Sequence, residues 1–345
     1  MALPLNDNQT TIKNSSNSSY TIPLILVTSL FFLWGLANSL NGSLVKQFQT
    51  ALDLQRWQAN IVETAFYFGY FAMALPAGYV MKKMGYKAGI MVGLILYAAG
   101  AFLFYPAAEY RNFTIFLIGY FTLAGGITVL QVAANPYVAL LGSEEGASSR
   151  LNLSQAFNSL GTTIAPVVGA LFLLSDSVKT SEEINALSTL EKVDYYAAEA
   201  ATVQTPFLLI AIFIGILAVV FAFIKLPKVM QESPKGGYLS LLRNKLMLMG
   251  ALGIFVYVGA EVAIGSFLVN YFDDMNLAVL VAENELMMNI ANTIASTFNK
   301  SFSNSDPKSL LGIFIIFYWG GAMIGRFVGA YLTKIIAPGK VLSIF

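Results

Sequence analysis

The chain has 345 residues, of which 57% are hydrophobic and only 11% are charged, and its formal net charge is +1. Soluble domains carry about 25% charged residues, so this chain has too few charges to cover a water-facing surface of its size. The near-neutral charge gives no sign of nucleic-acid binding, and the lack of Cys and His excludes disulfides, thiol catalysis and the usual zinc sites.

Long apolar runs predict an all-α protein that crosses a bilayer repeatedly. Each run is close to the roughly 20 residues that a helix needs to span the hydrocarbon core. Backbone groups in lipid must be hydrogen-bonded internally, so the spans are predicted to be helices. Eight complete spans are expected at 22–40, 60–81, 88–107, 113–138, 151–174, 206–225, 247–270 and 310–333, and a ninth begins near Val341.

The polar segments divide the chain into four parts. An Asn- and Ser-rich tail, residues 1–20, is expected to be disordered and contains no evident cleavable signal peptide. Residues 21–225 are predicted to form a six-helix N-terminal bundle and 226–246 a polar, basic linker. Residues 247–345 then form a partial C-terminal bundle.

Basic residues set the expected orientation. More Lys and Arg lie on the side of the N-terminus than on the other side, which predicts a cytoplasmic N-terminus and linker. Two long acidic segments, 175–205 and 271–309, then lie outside, and Leu280 to Phe298 can form a short interfacial helix. Arg326 is expected to snorkel to the cytoplasmic surface.

The sequence contains an internal repeat. Phe32–Ser43 in span 1 resembles Phe255–Ser266 in span 7, and Phe66–Gly69 in span 2 resembles Phe317–Gly320 in span 8. Span n therefore resembles span n+6. Parallel six-helix repeats place a substrate site between the two halves, near the bilayer midplane.

Amide side chains recur at helical spacing in spans 1, 4 and 5. Amides in hydrocarbon are unfavourable unless paired, and each offers both donors and an acceptor. A stripe of them facing a wet cavity suits a polyhydroxylated ligand, and aromatic rings can cover the apolar face of a sugar. The candidate substrate-binding residues are Trp34, Asn38, Asn41, Gln131, Asn135, Gln155, Asn158 and Tyr257. The alternative is that the amides join helices to one another.

Two carboxylates lie within predicted spans. Glu261 is in the middle of span 7 on the Tyr257 face, where it can exchange a proton or coordinate sodium. Glu63 is nearer the outer end of span 2 and is a weaker candidate for ion coupling. For both, the alternative is a fixed polar contact between helices.

The stretch Gly78–Lys87 is predicted to form the tight cytoplasmic turn between spans 2 and 3. Its basic residues can act as a gate that holds the N-terminal and C-terminal halves together, or their charge can set the orientation of the chain in the membrane. The candidate gating residues are Gly78, Lys82, Lys83, Gly85 and Lys87.

At these residues the chain resembles the major facilitator superfamily and, within it, the fucose/glucose/galactose symporter family. Gly78–Lys87 is similar to the superfamily's loop 2–3 signature, with Lys82 where an Asp is usual. The more specific matches are Phe31–Gly35, Ala65–Phe71, Ala133–Val138 and Arg150–Ser159. The resemblance implies sugar import across a bacterial inner membrane by alternating access, coupled to protons or sodium, with Gln155 and Asn158 as sugar contacts.

The chain also departs from that family. Where the fucose-transporting branch has acids in spans 1 and 4, this chain has Gly42 and Gln131. The departure favours Glu261 as the coupling residue, or else sodium coupling or uncoupled transport. The superfamily has twelve spans and this chain ends inside a ninth, so a fragment or an inactive truncated permease is expected.

The expected partners are a monosaccharide and the lipid bilayer, with the chain as a monomer. No cofactor is expected beyond the coupling proton or sodium ion, and no cluster of acids near a membrane face points to an enzyme. Three alternatives are a facilitator or exporter of another polar solute, a membrane enzyme such as a transferase, and a sugar sensor that does not transport.

Overall fold

A computed structural model describes residues 20–172, 184, 186–227, 243–297 and 307–344. Within these ranges the regular secondary structure is helical, and no strand occurs. The helices are α1 (Thr21–Ala51), α2 (Arg56–Glu109), α3 (Phe113–Leu140), α4 (Ala147–Phe172), α5 (Thr189–Phe223), α6 (Lys245–Asp274), α7 (Leu277–Glu283), α8 (Glu285–Thr297), α9 (Pro307–Ile313), α10 (Ile315–Ile335) and α11 (Pro338–Ile344). The tail predicted at 1–20, except Tyr20, and most of the predicted linker lie outside the described residues.

Six helices in the described ranges are long and apolar enough to cross a membrane. One of them, Trp57–Glu109, is 53 residues long and contains both predicted spans 2 and 3. Helix α4, which carries the predicted fifth span, is not among the six. Amide and hydroxyl side chains recur along α4, so its mean hydropathy is lower than that of its neighbours.

A single glycine bends α2 between the two spans that it contains. Gly85 has φ 81° and ψ 172°, a backbone conformation that residues with a Cβ rarely adopt. The remainder of the predicted turn Gly78–Lys87, including Lys82, Lys83 and Lys87, is helical. The prediction of a ten-residue turn was therefore wrong, because one residue in this conformation is enough to interrupt the helix.

Helix α5 begins 17 residues before the predicted span 6, inside the segment 175–205 that was predicted to lie outside the membrane. Ser188 and Glu191 form a capping box: the Ser188 hydroxyl accepts from the Glu191 N–H, and the Glu191 carboxylate accepts from the Ser188 N–H. The helix thus starts at a clear cap before the predicted span, because hydropathy detects only the apolar part of a helix.

The outer segment 271–309 is also more helical than predicted. Helix α6 continues to Asp274, and α7 and α8 follow it. The expected helix from Leu280 to Phe298 is split at Asn284, whose side chain accepts from the Met287 N–H at 3.0 Å and caps α8.

Helices α1 to α5, called the N-terminal bundle below, share one aromatic core. Phe48 stacks on Phe116 with ring centroids 4.5 Å apart, and Phe104 stacks on Phe207 at 4.0 Å. These side chains come from α1, α2, α3 and α5, and all four are fully buried. Helix α4 packs against α1 at one edge of this core.

The C-terminal helices, α6 to α11, meet the N-terminal bundle mainly where α10 packs on α4. The Phe157 and Phe327 rings are 5.8 Å apart, and the Ser149 hydroxyl donates to the Ala330 carbonyl oxygen at 2.7 Å. Contact between the two groups of helices therefore depends on the helix that carries the predicted amide stripe.

Candidate functional site

Two of the predicted amides are hydrogen-bonded to each other across α3 and α4. The Gln155 amide nitrogen donates to the Asn135 side-chain oxygen at 3.2 Å, and both side chains are half-buried. One turn earlier on α3, the Gln131 amide donates to the Tyr70 hydroxyl at 3.5 Å. The three amides therefore lie at one meeting point of α2, α3 and α4, partly accessible and already ordered by partners.

Asn158 holds α4 against α1. Its side-chain amide nitrogen donates to the Phe31 backbone carbonyl oxygen at 3.1 Å. The two helix backbones are also close here, since a Cβ built on Gly35 would lie 2.1 Å from the backbone carbonyl oxygen of Asn158. The absence of a side chain at Gly35 thus permits this close approach. An amide has two N–H donors and a carbonyl acceptor, so one bond to the backbone leaves capacity for a ligand.

The three candidate residues of span 1 differ in their surroundings. Asn38 is half-buried on α1, two turns from the Phe31 contact. Asn41 lies on the same helix, but its side chain is outside the described part of the structure. Trp34 is only 7% exposed and packs on Phe31 with ring centroids 5.5 Å apart. The expectation that Trp34 offers a ring face to a ligand does not fit this packing.

A charged cluster joins α10, α6 and α4. One terminal nitrogen of Arg326 forms a salt bridge with the Glu261 carboxylate. The same nitrogen donates to the Tyr257 hydroxyl at 3.4 Å. Its other terminal nitrogen donates to the Ser159 hydroxyl on α4. The Tyr318 hydroxyl donates to the Glu261 backbone carbonyl at 3.0 Å.

The expectation that Arg326 snorkels to the cytoplasmic surface was wrong. Its side chain is only 23% exposed, and that of Glu261 is only 15% exposed. Both groups can be largely buried because their opposite charges are paired. Charged groups within membrane helices are tolerated when they are paired. An arginine and a glutamate in the middle of separate spans are the signal from which this pair could have been predicted.

Glu63 and Lys87 belong neither to the amide contacts nor to the charged cluster. Glu63 is exposed on α2. Tyr257, which contacts Arg326, is 58% exposed on α6. Lys87 donates to the Ala222 carbonyl oxygen at 2.7 Å, near the end of α5. A cation at a helix C-terminus stabilises the exposed carbonyls there, so Lys87 joins two helices of the same bundle rather than the two halves.

Three polar residues of α4 with structural contacts were not among the predicted site residues. Arg150 donates to the carbonyl oxygens of Val138, Ala139 and Ser143, and so caps the end of α3. Ser149 and Asn152 reach α10 instead: Asn152 contacts the Thr333 hydroxyl at 3.5 Å. The first turns of α4 thus contact α10. The predicted amides Gln155 and Asn158 lie further along the same helix.

No group of acidic residues that could hold a metal ion occurs in the described ranges. A groove of about 310 Å³ lies on one face of α8, lined by Leu286, Asn289, Ile290, Thr293 and Ile294. None of the predicted substrate or coupling residues lines this groove.

Comparison with known proteins gives consistent results. A profile described as the Major Facilitator Superfamily matches residues 25–345. The chain is 41% identical over 336 residues to a glucose/galactose transporter of Brucella abortus biovar 1 (strain 9-941), covering 96% of this chain and 71% of that protein. It is 38% identical over 336 residues to the L-fucose-proton symporter of Escherichia coli (strain K12), covering 95% of this chain and 70% of that protein.

A solved structure is similar throughout the chain. The crystal structure of the transporter FucP in the outward conformation superposes with a TM-score of 0.78 at 37% identity. The superposition covers 95% of this chain and 75% of that one.

Proposed function

The chain belongs to the Major Facilitator Superfamily and is an integral membrane protein, and from this premise we propose that it imports a monosaccharide by alternating access. The observation that carries the proposal is the 41% identity, over 96% of this chain, to a protein named a glucose/galactose transporter. The sugar is a hexose, a deoxyhexose or an amino sugar.

The half-buried amides support a polyhydroxylated substrate. Gln155, Asn135 and Gln131 offer amide donors and acceptors at one junction of three helices. Sugar hydroxyls both donate and accept hydrogen bonds, so such groups can exchange their present partners for ligand hydroxyls. Asn158 on α4 and Asn38 on α1 are also half-buried and are included among the proposed contacts. The buried Trp34 is left out of the proposed contacts.

Glu261 is the proposed ion-coupling residue. It is a half-buried carboxylate within the membrane region, and two relatives carry the name L-fucose-proton symporter, which favours a proton over sodium as the coupling ion. Its present partner is Arg326, so a cation that binds the carboxylate competes with the guanidinium. Glu63 is exposed and is the weaker candidate.

The protein is proposed to act as a monomer in a bacterial inner membrane, with its N-terminus in the cytoplasm. The excess of Lys and Arg on the side of the N-terminus supports this orientation.

Sugar binding and counterflow test the proposed substrate. The purified protein is titrated with glucose, galactose, fucose and N-acetylglucosamine, and proteoliposomes are tested for counterflow of each sugar at several pH values and sodium concentrations. Saturable binding and counterflow of at least one sugar are expected. Binding without counterflow would favour a sensor, and binding of none of them, with counterflow of a different polar solute, would overturn the monosaccharide proposal.

The Glu261→Gln variant tests the proposed coupling. This change keeps the size and hydrogen-bonding ability of the side chain but removes its charge. Uptake by the variant is expected to lose its dependence on pH or sodium, while uptake by Glu63→Gln keeps it. Ion dependence equal to that of the unmodified protein would exclude Glu261 from coupling.

A further inference from the structure

A buried hydroxyl on α2 lacks a hydrogen-bond partner among the protein atoms. Tyr97 is fully buried, and in the described part of the structure its hydroxyl oxygen is the one buried side-chain polar atom without such a partner. The ring of a tyrosine packs well in an apolar core, but its O–H normally forms a hydrogen bond when it is buried. An unpaired buried donor is unfavourable, so a partner that is not a protein atom is expected at this hydroxyl.

A second hydroxyl proton close by also lacks an acceptor. Tyr70 is half-buried on the same helix, and its oxygen accepts from the Gln131 side-chain amide at 3.5 Å. The Tyr70 O–H itself donates to no group among the described residues. The hydroxyls of Tyr70 and Tyr120 both interact electrostatically with that of Tyr97. Tyr70 belongs to predicted span 2, Tyr97 to predicted span 3 and Tyr120 to α3, so three membrane segments bring these hydroxyls together.

The segments around the three hydroxyls are closely packed. The Phe66 ring contacts the rings of both Tyr70 and Tyr120, with centroids 5.1 and 4.8 Å apart. A Cβ built on Gly126 of α3 would lie 2.3 Å from the Tyr97 backbone nitrogen, so α2 and α3 approach closely there. Because Tyr97 is fully buried, a sugar cannot reach its hydroxyl directly, whereas a single water molecule needs only a small polar cavity.

One water molecule is enough to pair both protons. A water oxygen accepts two hydrogen bonds, and buried waters typically make about three bonds in all. The hydroxyls of Tyr97 and Tyr70 supply the two donors, and the Tyr120 oxygen is an acceptor for a hydrogen of the water. A hydroxyl that donates becomes a better acceptor, so a water bound to Tyr70 strengthens the long hydrogen bond from the Gln131 amide.

We propose that one water molecule binds between the hydroxyls of Tyr97, Tyr70 and Tyr120. Through this water, Tyr97 acts as a positioning residue for the Gln131 amide, a role that rests on the proposed function. Tyr70 holds one N–H of the amide, so the other N–H and the oxygen of Gln131 meet the sugar in a fixed orientation. Tyr97 itself touches no sugar.

A crystal structure that resolves ordered waters tests the binding site itself. The 345-residue chain, crystallised without sugar, is expected to show a water peak about 3 Å from the hydroxyl oxygens of both Tyr97 and Tyr70. A map without this peak, or one in which the Tyr97 hydroxyl bonds directly to a protein atom, would overturn the proposal.

The Tyr97→Phe variant gives the sign of the hydroxyl's contribution to stability. The change keeps the aromatic ring and removes only the oxygen. If water pairs the hydroxyl, its loss leaves the bound water with one partner fewer, so the Tm in detergent is expected to fall. An unpaired hydroxyl would instead be a cost that phenylalanine removes, so an equal or higher Tm would count against the water site.

Sugar titration tests the positioning role. Tyr97→Phe is expected to weaken binding of the sugar that binds best by about fivefold in Kd, as for loss of one neutral hydrogen bond. Tyr70→Phe acts on the same amide, so the double variant is expected to differ little from the larger single effect. An unchanged Kd in Tyr97→Phe, or two effects that multiply in the double variant, would exclude the positioning role.

The matched control is Tyr137→Phe on α3. Tyr137 is also buried, but its hydroxyl donates to the Pro227 carbonyl oxygen at 3.1 Å. Its loss is expected to lower the Tm and to leave the Kd for sugar unchanged, and an equal loss of affinity in this variant would overturn the positioning role. If the parent protein binds no sugar, the proposed function and the positioning role both fail, whereas the water site is judged from the map and the Tm.

Discussion

Asn158 makes the helix contact that was one of the two interpretations of its sequence pattern, and its role in ligand binding stays a prediction. Its amide joins α4 to the backbone of α1, and its side chain is still half-buried rather than fully enclosed. The pattern of spacing predicted that Asn158 belongs to a stripe of amides. It did not reveal which atom of α1 the amide contacts, because the Phe31 carbonyl is 127 residues away along the chain.

The Asn158→Ala variant tests the ligand role of this amide. Loss of a buried hydrogen-bonding partner is expected to weaken sugar binding by about 1–3 kcal/mol, or roughly fivefold to 150-fold in Kd. Isothermal titration with the sugar that binds best measures this change. Asn292→Ala on α8, an exposed Asn outside the proposed site, is the control and should bind as before. If Asn158→Ala binds the sugar with unchanged affinity, Asn158 does not belong to the binding site.

At the scale of elements, close contact between α1 and α4 depends on the small residues of both helices. A Cβ on Gly161 would lie 2.2 Å from the Phe32 carbonyl oxygen, and one on Gly35 would meet the Asn158 carbonyl. Small residues at such positions let membrane helices approach closely, since apolar side chains gain little by leaving lipid. The glycines are visible in the sequence, but their partners are known only once two helices are packed.

Gly35→Ala is expected to destabilise this helix pair. The added Cβ would lie 2.1 Å from a backbone oxygen, so the helices must separate, at a cost of about 1–3 kcal/mol. Thermal unfolding in detergent is expected to show a lower Tm. Gly215→Ala on α5 is the control, because nothing lies within 4 Å of its added Cβ and alanine favours helix. Equal Tm values for the two variants would contradict this account of the packing.

At the scale of the whole molecule, α4 carries both the proposed sugar contacts and the interface with the C-terminal helices. Its first turns bind α10 through Ser149 and Asn152, and its middle carries Gln155, Asn158 and the Arg326 contact. Any movement of α4 relative to α10 therefore displaces the amides. This arrangement suits a transporter in which substrate and closure affect each other.

The orientation of the chain in the membrane can be tested with single cysteines, since these 345 residues contain none. Lys82 and Asp194 are exposed and are predicted to lie on opposite sides of the membrane. A membrane-impermeant maleimide added to intact spheroplasts is expected to label Asp194→Cys, and to label Lys82→Cys only after permeabilisation. The reverse labelling pattern would mean that the N-terminus is outside.

The sequence by itself determined the class of protein and the approximate positions of the apolar helices. These depend on hydropathy and on spacing within a single helix, which are local properties. Only the tertiary structure decided that Arg326 pairs with Glu261, 65 residues away, and with Ser159, 167 residues away. It also decided that Trp34 is buried and that Gly85 alone bends α2. Such pairings depend on which helix faces pack together, and periodicity within one helix carries no information about its neighbour.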